Sequence, residues 1–203
     1  MTVEHFITIK ETFVAGNMKI QLQTSRLMLQ GLTKSDAEDL YRYRSLPEVT
    51  RFQGWAPASV EEAVRFVEED ICHEINQPDT WFQFGIFLRE DQTLIGDLGI
   101  HFLPDLSDEA EIGVTVAPGY QSKGFASEAV SRVLEFLFHT LHKNKVTASV
   151  DPENRKSMAL MERIGFKLEG IHKKTILFRG EWTDDAVFSL TRKQWENRPK
   201  PNL

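Results

Sequence analysis

The sequence has little cysteine, lacks a long apolar run and carries no excess of basic residues. Its 203 residues include 1 cysteine, Cys72, which excludes a disulfide framework and favours a reducing compartment. No apolar stretch approaches the length of a membrane span, and the first residues lack the basic and then apolar order of a secretory signal. We therefore expect a cytoplasmic protein.

The charge balance is acidic, with a formal net charge of −6 at pH 7. Nucleic-acid-binding domains usually carry clustered Lys and Arg, so that class is disfavoured. An acidic balance suits a cationic partner such as an amine, but it is also common in proteins with other functions. Hydrophobic residues make up 41% and charged residues 27%, which are proportions typical of one globular domain with an adequate core.

The order of hydrophobic patterns predicts an α/β fold. Strand patterns at 81–88, 94–102 and 109–116 are joined by short links, which predicts an antiparallel meander. A helical apolar stripe from Ala126 to Leu141 is followed by a short strand at 146–150. Such a strand–helix–strand unit requires a right-handed crossover and a parallel pair. Before the meander we predict a strand at 25–30 and helices that begin after the N-caps Thr33 and Ser59; after it we predict a helix at 154–164 and strands at 166–168, 174–178 and 186–190.

The two ends of the chain differ from the middle. Residues 1–17 look like an N-terminal extension that either adds a strand or covers a neighbour, and Met18 begins the domain pattern. The domain is predicted over 18–195, and residues 196–203 form a polar, proline-containing tail that we expect to be loose.

The turn after the meander carries the clearest functional signal. It runs Pro-Gly-Tyr-Gln-Ser-Lys-Gly-Phe-Ala over residues 118–126, between an apparent strand and an apparent amphipathic helix. The first N–H groups of a helix have no intrahelical acceptor, and the helix dipole favours negative charge there. The turn is therefore a candidate pyrophosphate cradle, although glycine-containing turns of this kind also occur for structural reasons alone.

Four segments in order resemble the GNAT superfamily of acyltransferases, most closely its RimJ/RimL-like branch. The second of them contains the acyl-CoA signature Q/R-x-x-G-x-G/A. The segments are Ser25–Leu29 with Ala37–Leu40; Glu111–Val114 leading into Gln121-x-x-Gly124-x-Ala126-x-Glu128-Ala129; Asn154-x-x-Ser157-x-x-Leu160-x-Glu162-x-x-Gly165-Phe166; and Trp182-x-Asp184.

This resemblance implies the GNAT fold, a mixed and mostly antiparallel sheet that splays at its parallel strand pair and is flanked by helices. It also implies acetyl-CoA as co-substrate, with pantetheine in the wedge between the splayed strands and pyrophosphate on the turn; no metal is expected. The residues implied in cofactor binding are Val114, Thr115, Val116, Gln121, Ser122, Lys123, Gly124, Phe125, Ala126 and Asn154.

Two residues are candidates for the chemistry of acetyl transfer to a primary amine. Glu111 is the candidate base, acting through water, because it lies on the strand that should carry the thioester; the alternative is an ordinary strand glutamate. The resemblance carries over Ser157 as the group that protonates the leaving thiolate, and the alternative is a serine that caps or packs its helix. Asn154 either binds pantetheine or caps the same helix.

The acceptor amine is open between a protein N-terminus and a small molecule. Trp55 and Trp182 are the aromatic candidates for its pocket. Some RimL-like enzymes carry a catalytic acid where this chain has Lys-Lys-Thr-Ile-Leu at 173–177, and this departure argues against a ribosomal-protein acceptor. A non-catalytic CoA-binding sensor or partner module is the alternative function, and the extension or the last hairpin could form a homodimer contact.

Overall fold

A computed structural model describes residues 10–14, 17–104, 108–178 and 180–198. Strands within these ranges are β1 (Lys10–Val14), β2 (Asn17–Gln23), β3 (Leu27–Gly31), β4 (Thr80–Leu88), β5 (Leu94–Phe102), β6 (Glu109–Val116), β7 (Lys145–Val150), β8 (Lys167–Phe178) and β9 (Glu181–Thr191). Helices are α1 (Ala37–Arg44), α2 (Pro47–Thr50), α3 (Val60–Arg65), α4 (Phe125–Glu135), α5 (Arg155–Ile164) and α6 (Arg192–Glu196).

One sheet contains all of these strands, in the spatial order β1-β2-β3-β4-β5-β6-β7-β9-β8. Every neighbouring pair in it is antiparallel except β6 and β7, which run parallel. The chain reaches β7 from β6 through α4, the crossover that the strand–helix–strand pattern predicts. The predicted meander and its parallel partner are therefore confirmed.

The centre of the sheet is buried on both faces. In β5 every side chain except His101 is buried, so helices must cover both sides of the strand. One core cluster joins the sheet to α4 and α5, and a second joins it to α1 and to the π-helical turn Phe66–Asp70 that continues α3. This sandwich of helix, sheet and helix makes β6 a rigid base for whatever binds at its end.

Local capping explains where the helices begin. Asp36 accepts a hydrogen bond from the N–H of Thr33, 2.8 Å away, at a 3-10 turn that leads into α1. The Ser59 hydroxyl accepts from the N–H of Glu62 and caps α3. Both N-caps agree with the sequence patterns. The C-terminal end of α5 is Gly165, with φ of +107°, a conformation that glycine adopts without a steric penalty.

Two predicted boundaries require correction. The separate strands expected at 166–168 and 174–178 are one long strand, β8, which continues through register shifts against β9 between Leu168 and Gly170 and between His172 and Ile176. The lysine-rich middle of β8 lacks the alternation of apolar and polar residues that is typical of a strand, so the sequence pattern predicts two strands instead of one. The long helix after the turn is α4 followed by the π-helical turn Phe136–Thr140.

The N-terminal segment contributes a strand, since β1 pairs with β2 along its whole length. This is one of the two roles considered for the extension, and the predicted division at residues 17 and 18 falls at the start of β2. Residues 1–9, 15–16 and 199–203 lie outside the described residues, so the division of the chain into extension, domain and tail stays a prediction.

Candidate active site

The sheet opens into a wedge between β6 and β7. The two strands pair only over Glu109, Ala110 and Glu111, opposite Lys145 to Thr147. Beyond Glu111, β6 stays paired with β5 as far as Val116, and β7 stays paired with β9 as far as Val150. Among the described strands, none pairs with the second backbone edge of residues 112–116, and this edge can form hydrogen bonds with an extended ligand.

The turn at the end of β6 presents backbone N–H groups to the same wedge. The first helical hydrogen bond of α4 joins the N–H of Glu128 to the carbonyl of Gly124, so the N–H groups of residues 124–127 have no helical acceptor. Gly124 is the N-cap and has φ of +84°, which turns the chain sharply into the helix. An anion at this point would also meet the positive end of the α4 dipole.

A clamp that sequence reasoning missed holds this turn against the start of β3. Arg26 donates from Nε to Glu128 Oε2 at 2.7 Å and from Nη1 to the carbonyl of Lys123 at 3.1 Å. The Thr24 hydroxyl and the Arg26 N–H also donate to Glu128 Oε1. Burial acts to raise the pKa of Glu128, but the hydrogen bonds from Thr24 and Arg26 outweigh it, and the pKa is lowered.

The N-terminus of α5 forms the opposite wall of the wedge. Asn154 is its N-cap, because the Asn154 Oδ1 accepts from the Ser157 N–H at 3.1 Å. The capping function is thus filled by Asn154, and Ser157 lines the cleft. Basic side chains of α5 reach across to the turn: Lys156 donates to Gln121 Oε1 at 3.2 Å, and Arg163 lies 3.5 Å from the Ser127 hydroxyl.

Wedge, turn and α5 enclose one continuous cleft of about 1300 Å³. Most of the predicted site residues line it: Glu111, residues 114–116, 121–122 and 124–126, Asn154 and Ser157. Lys123 does not line it; its Nζ lies 5.3 Å from the centroid of the Tyr120 ring. Gln121 uses its side chain locally, donating to the Val116 carbonyl at 3.0 Å and thereby fixing the turn to the strand.

The two predicted acceptor tryptophans do not line the cleft. Trp55 is partly buried and packs against the second core cluster, with its ring stacked on Phe66 at 4.0 Å and the Arg44 guanidinium 5.6 Å from its centroid. Trp182 lies on β9 opposite Leu177 and is 58% exposed, while the residues that follow it, Thr183 and Asp184, reach the cleft. Strand alternation accounts for this difference in part, because Trp182 and Thr183 point to opposite faces.

The cleft lining also contains charged residues that sequence reasoning did not single out. The carboxylates are Glu48 on α2, Asp151 and Glu153 before α5, and Asp184 and Asp185 on β9. Two of them are paired with cations, Glu153 with Arg51 at 3.1 Å and Asp184 with Lys173 at 2.7 Å. Trp81 also lines the cleft and is 40% exposed. The basic side chains beside the turn favour an anionic ligand there, and the remaining carboxylates favour a cationic ligand.

A buried polar network supports a loop that lines the cleft. Asp97 on β5 is fully buried and accepts from Arg44, from the Tyr43 hydroxyl and from the Gln83 amide. Arg44 also donates to Gln53 Oε1 at 3.2 Å, and Gln53 lines the cleft. Burial and the neighbouring Asp97 carboxylate raise the pKa of Tyr43, so the phenol stays a donor.

The described ranges contain no group of three or more His, Cys, Asp and Glu side chains that could hold a metal ion. None of the helices described is long and apolar enough to cross a membrane.

This chain is similar to known acetyltransferases along most of its length. The family model "Acetyltransferase (GNAT) domain" matches residues 26–167. The uncharacterized N-acetyltransferase YoaA of Bacillus subtilis (strain 168) is 32% identical over 172 residues, which is 84% of this chain and 96% of that protein. The [ribosomal protein uS5]-alanine N-acetyltransferase of Escherichia coli (strain K12) is 27% identical and covers 87% of this chain and 93% of its own length.

Solved structures agree. The crystal structure of an acetyltransferase of the GNAT family from Bacillus anthracis superposes with a TM-score of 0.76 at 26% identity, covering 85% of this chain and 99% of that one. The fold class predicted from the sequence is therefore confirmed, including the mixed sheet with one parallel pair.

Proposed function

The chain belongs to the GNAT family of acetyltransferases, and from this premise we propose that its cleft joins an acetyl-CoA site at the α4 turn to an acceptor-amine site lined by carboxylates. Homologues named as N-acetyltransferases match along most of the chain, so acetyl transfer to an amine is its activity. This favours an enzyme over a non-catalytic CoA-binding module. The expected cytoplasmic location is supported by the low cysteine content.

One observation supports the cofactor assignment. β6 and β7 separate after Glu111, and β6 then leads through the turn to the N-terminus of α4 at Gly124. The unpaired edge of residues 112–116 suits the amide groups of pantetheine, and the N–H groups of residues 124–127 suit the pyrophosphate. Lys156 and Arg163 supply positive charge beside the same turn. Bound acetyl-CoA supplies an activated thioester.

The transfer proceeds by direct attack of the amine on the thioester carbon, without a covalent enzyme intermediate. The C–N bond forms, the C–S bond breaks and the amine gives up one proton. Glu111 takes that proton through water at the point where the strands separate, and it is 32% exposed there. The Ser157 hydroxyl, at the first turn of α5, protonates the departing thiolate and regains a proton from water, while the proton taken by Glu111 returns to solvent.

The acceptor is a primary amine, on a protein N-terminus or on a small molecule. The carboxylates of Glu48, Asp151 and Asp185 in the cleft lining support a cationic acceptor. The relative from Escherichia coli is named for acetylating the alanine of a ribosomal protein. Where some RimL-like enzymes carry a catalytic acid, this chain has Lys173 and Lys174, and both contact Asp184. We therefore propose that the acceptor differs from that of this relative.

Thermal unfolding tests the cofactor half first. Acetyl-CoA, CoA, ATP and NAD are compared at equal concentration, and we expect only the two CoA species to raise the midpoint, because a ligand that binds the folded state alone stabilises it. Release of free thiol with a panel of amines, including basic peptides and polyamines, then identifies the acceptor. The absence of any CoA-specific shift at saturating concentration would contradict the cofactor assignment.

Glu111→Gln tests the base. We expect kcat at neutral pH to fall by about 100-fold, since general-base catalysis typically contributes a factor of that order or more. The midpoint shift with acetyl-CoA should be retained, because the amide is close in size to the carboxylate. Glu109→Gln, on the same strand but outside the cleft lining, is the matched control. Activity equal to wild type over the whole pH range would remove Glu111 from this role.

A further inference from the structure

Glu111 has a neighbour that the proposed reaction leaves unused, the imidazole of His101. His101 on β5 lies directly opposite Glu111 in the antiparallel ladder with β6. Its Nδ1 lies 3.7 Å from Oε2 of Glu111, and its Nε2 lies 3.6 Å from Oδ1 of Asp79. Each ring nitrogen therefore faces a carboxylate within ion-pair distance, and Glu111 is the one that lines the cleft.

The plane of this imidazole is fixed from the other side by Trp81. Trp81 on β4 pairs directly with His101 on the neighbouring strand β5, and the two rings stack with centroids 4.9 Å apart and planes 6° apart. Glycine at position 99 makes this possible, since a Cβ there would lie 3.1 Å from the indole ring. On the adjacent strands β4, β5 and β6, the neighbouring residues are thus Trp81, His101 and Glu111, and Glu111 lines the cleft.

A carboxylate on a strand has several torsions and can turn to solvent when nothing holds it. Glu111 is 32% exposed, and the cleft beside it has room for many orientations. Catalysis by a general base depends on holding its oxygen within reach of the proton to be removed. An imidazole beside one carboxylate oxygen limits that freedom and leaves the other oxygen for the water or the amine.

We propose that His101 is a positioning residue for Glu111 in acetyl transfer, with Trp81 holding its ring. This inference rests on the proposed function, because Glu111 is the base there. His101 is 21% exposed and Asp79 73%, so the Asp79–His101–Glu111 set is worth little to stability. Its contribution is to the geometry of the site.

The first variant is His101→Gln, which keeps a hydrogen-bonding side chain of similar reach without the ring. We expect kcat to fall about 10-fold, since loss of orientation at a reacting group has effects of this order. The KM for acetyl-CoA and its effect on the unfolding midpoint should not change. His139→Gln is the matched control, because His139 is exposed at the end of the π-helical turn after α4.

A double-mutant cycle separates positioning from a structural or independent role. In the Glu111→Gln background, His101→Gln should cause no further loss of kcat, because His101 acts through the carboxylate. Losses that multiply would overturn the inference, and so would a wild-type kcat in His101→Gln. If that variant does not fold, Asp79→Asn replaces it, as Asn tolerates the left-handed φ of 55° at that exposed position. It should lower kcat in the same direction by a smaller factor, and an unchanged kcat would again overturn the inference.

The outcomes also distinguish this inference from the proposed function. A wild-type protein that acetylates no amine removes both. A protein that is active, with Glu111→Gln as fast as wild type, leaves acetyl transfer standing and removes the base together with its positioning residue. An active enzyme impaired by Glu111→Gln but unaffected by His101→Gln removes the positioning role alone.

Discussion

Two arginine–carboxylate pairs lie beside the cleft, and they differ in burial. Arg26 and Glu128 hold the turn that precedes α4, with side chains 48% and 17% exposed. Arg44 and Asp97 lie beneath the loop that contains Gln53, with side chains 10% and 0% exposed. An arginine–carboxylate pair is thus in contact with water at the turn and almost completely removed from water beneath the loop.

This difference predicts different consequences for the two pairs. Removing one partner of a buried pair leaves a charge without solvent or counter-ion, which costs far more than the pair contributes over apolar residues. At a partly exposed pair, water replaces the lost partner and the effect on stability is small. Arg44 and Asp97 should therefore determine whether the chain folds, and Arg26 and Glu128 should determine how well the turn is held.

Asp97→Ala is expected to have the largest effect. It leaves Arg44 buried without its counter-ion and removes the acceptor of the Tyr43 hydroxyl. The free energy of unfolding should fall by about 3–5 kcal/mol, measured by denaturant titration.

The matched control is Asp39→Ala, which breaks an exposed pair with Arg42 on the same helix as Arg44. This change should cost about 1 kcal/mol or less. A loss for Asp97→Ala no larger than for this control would show that water enters the network and would remove the distinction between the two pairs.

Gly124→Ala is expected to have the next largest effect, and it changes the turn that Arg26 and Glu128 hold. The φ of +84° costs an L-residue about 1–2 kcal/mol, and an added Cβ would lie 3.3 Å from Nη2 of Arg26. We also expect most of the midpoint shift with acetyl-CoA to be lost. Gly119→Ala, in the same turn but with open space around its Cα and no positive φ, is the control. Equal shifts in both variants would mean that Gly124 does not shape the site.

Sequence patterns indicate the residues of the α4 turn more readily than those of the proposed acceptor site, for a physical reason. The turn at 118–126 and the cap at Asn154 are local, so their residues are adjacent in the sequence and their geometry follows from the chain itself. The splay of the sheet was also predictable, because the resemblance to a known family carried it. The structure confirms that the parallel pairing ends at Glu111.

The proposed acceptor site could not be predicted in the same way because it is assembled from distant segments. The residues proposed for it lie on α2, on β4, at the start of α5 and on β9, and no local pattern brings these segments together. Trp55 is an aromatic candidate for the acceptor pocket in the sequence, but its ring stacks on the partly buried Phe66. The pairing of Arg26 with Glu128 spans 102 residues, so Glu128 read only as part of a helix motif.

Glu128→Gln is the mildest of these changes and sharpens the comparison through pH. It keeps the length of the side chain but weakens the acceptors for Arg26 and Thr24, so we expect a loss of about 1 kcal/mol near neutral pH. Glu135→Gln on the same helix, whose carboxylate is paired with Arg132 at 3.4 Å, is the control.

The pH dependence of stability follows from the lowered pKa of Glu128 in the folded protein. In the unfolded chain a glutamate titrates near about 4.3, so the folded state binds the proton less readily than the unfolded state. The stabilisation by Glu128 is therefore fully present above that value and is lost as pH falls through the lower, folded pKa. The difference in unfolding free energy between wild type and Glu128→Gln should shrink over this acid range, measured by denaturant titration at successive pH values. A difference that stays constant down to the acid limit of folding would mean that the hydrogen bonds to Glu128 do not depend on its charge, and the exposed pair would then be a spacer for the turn instead of an ion pair.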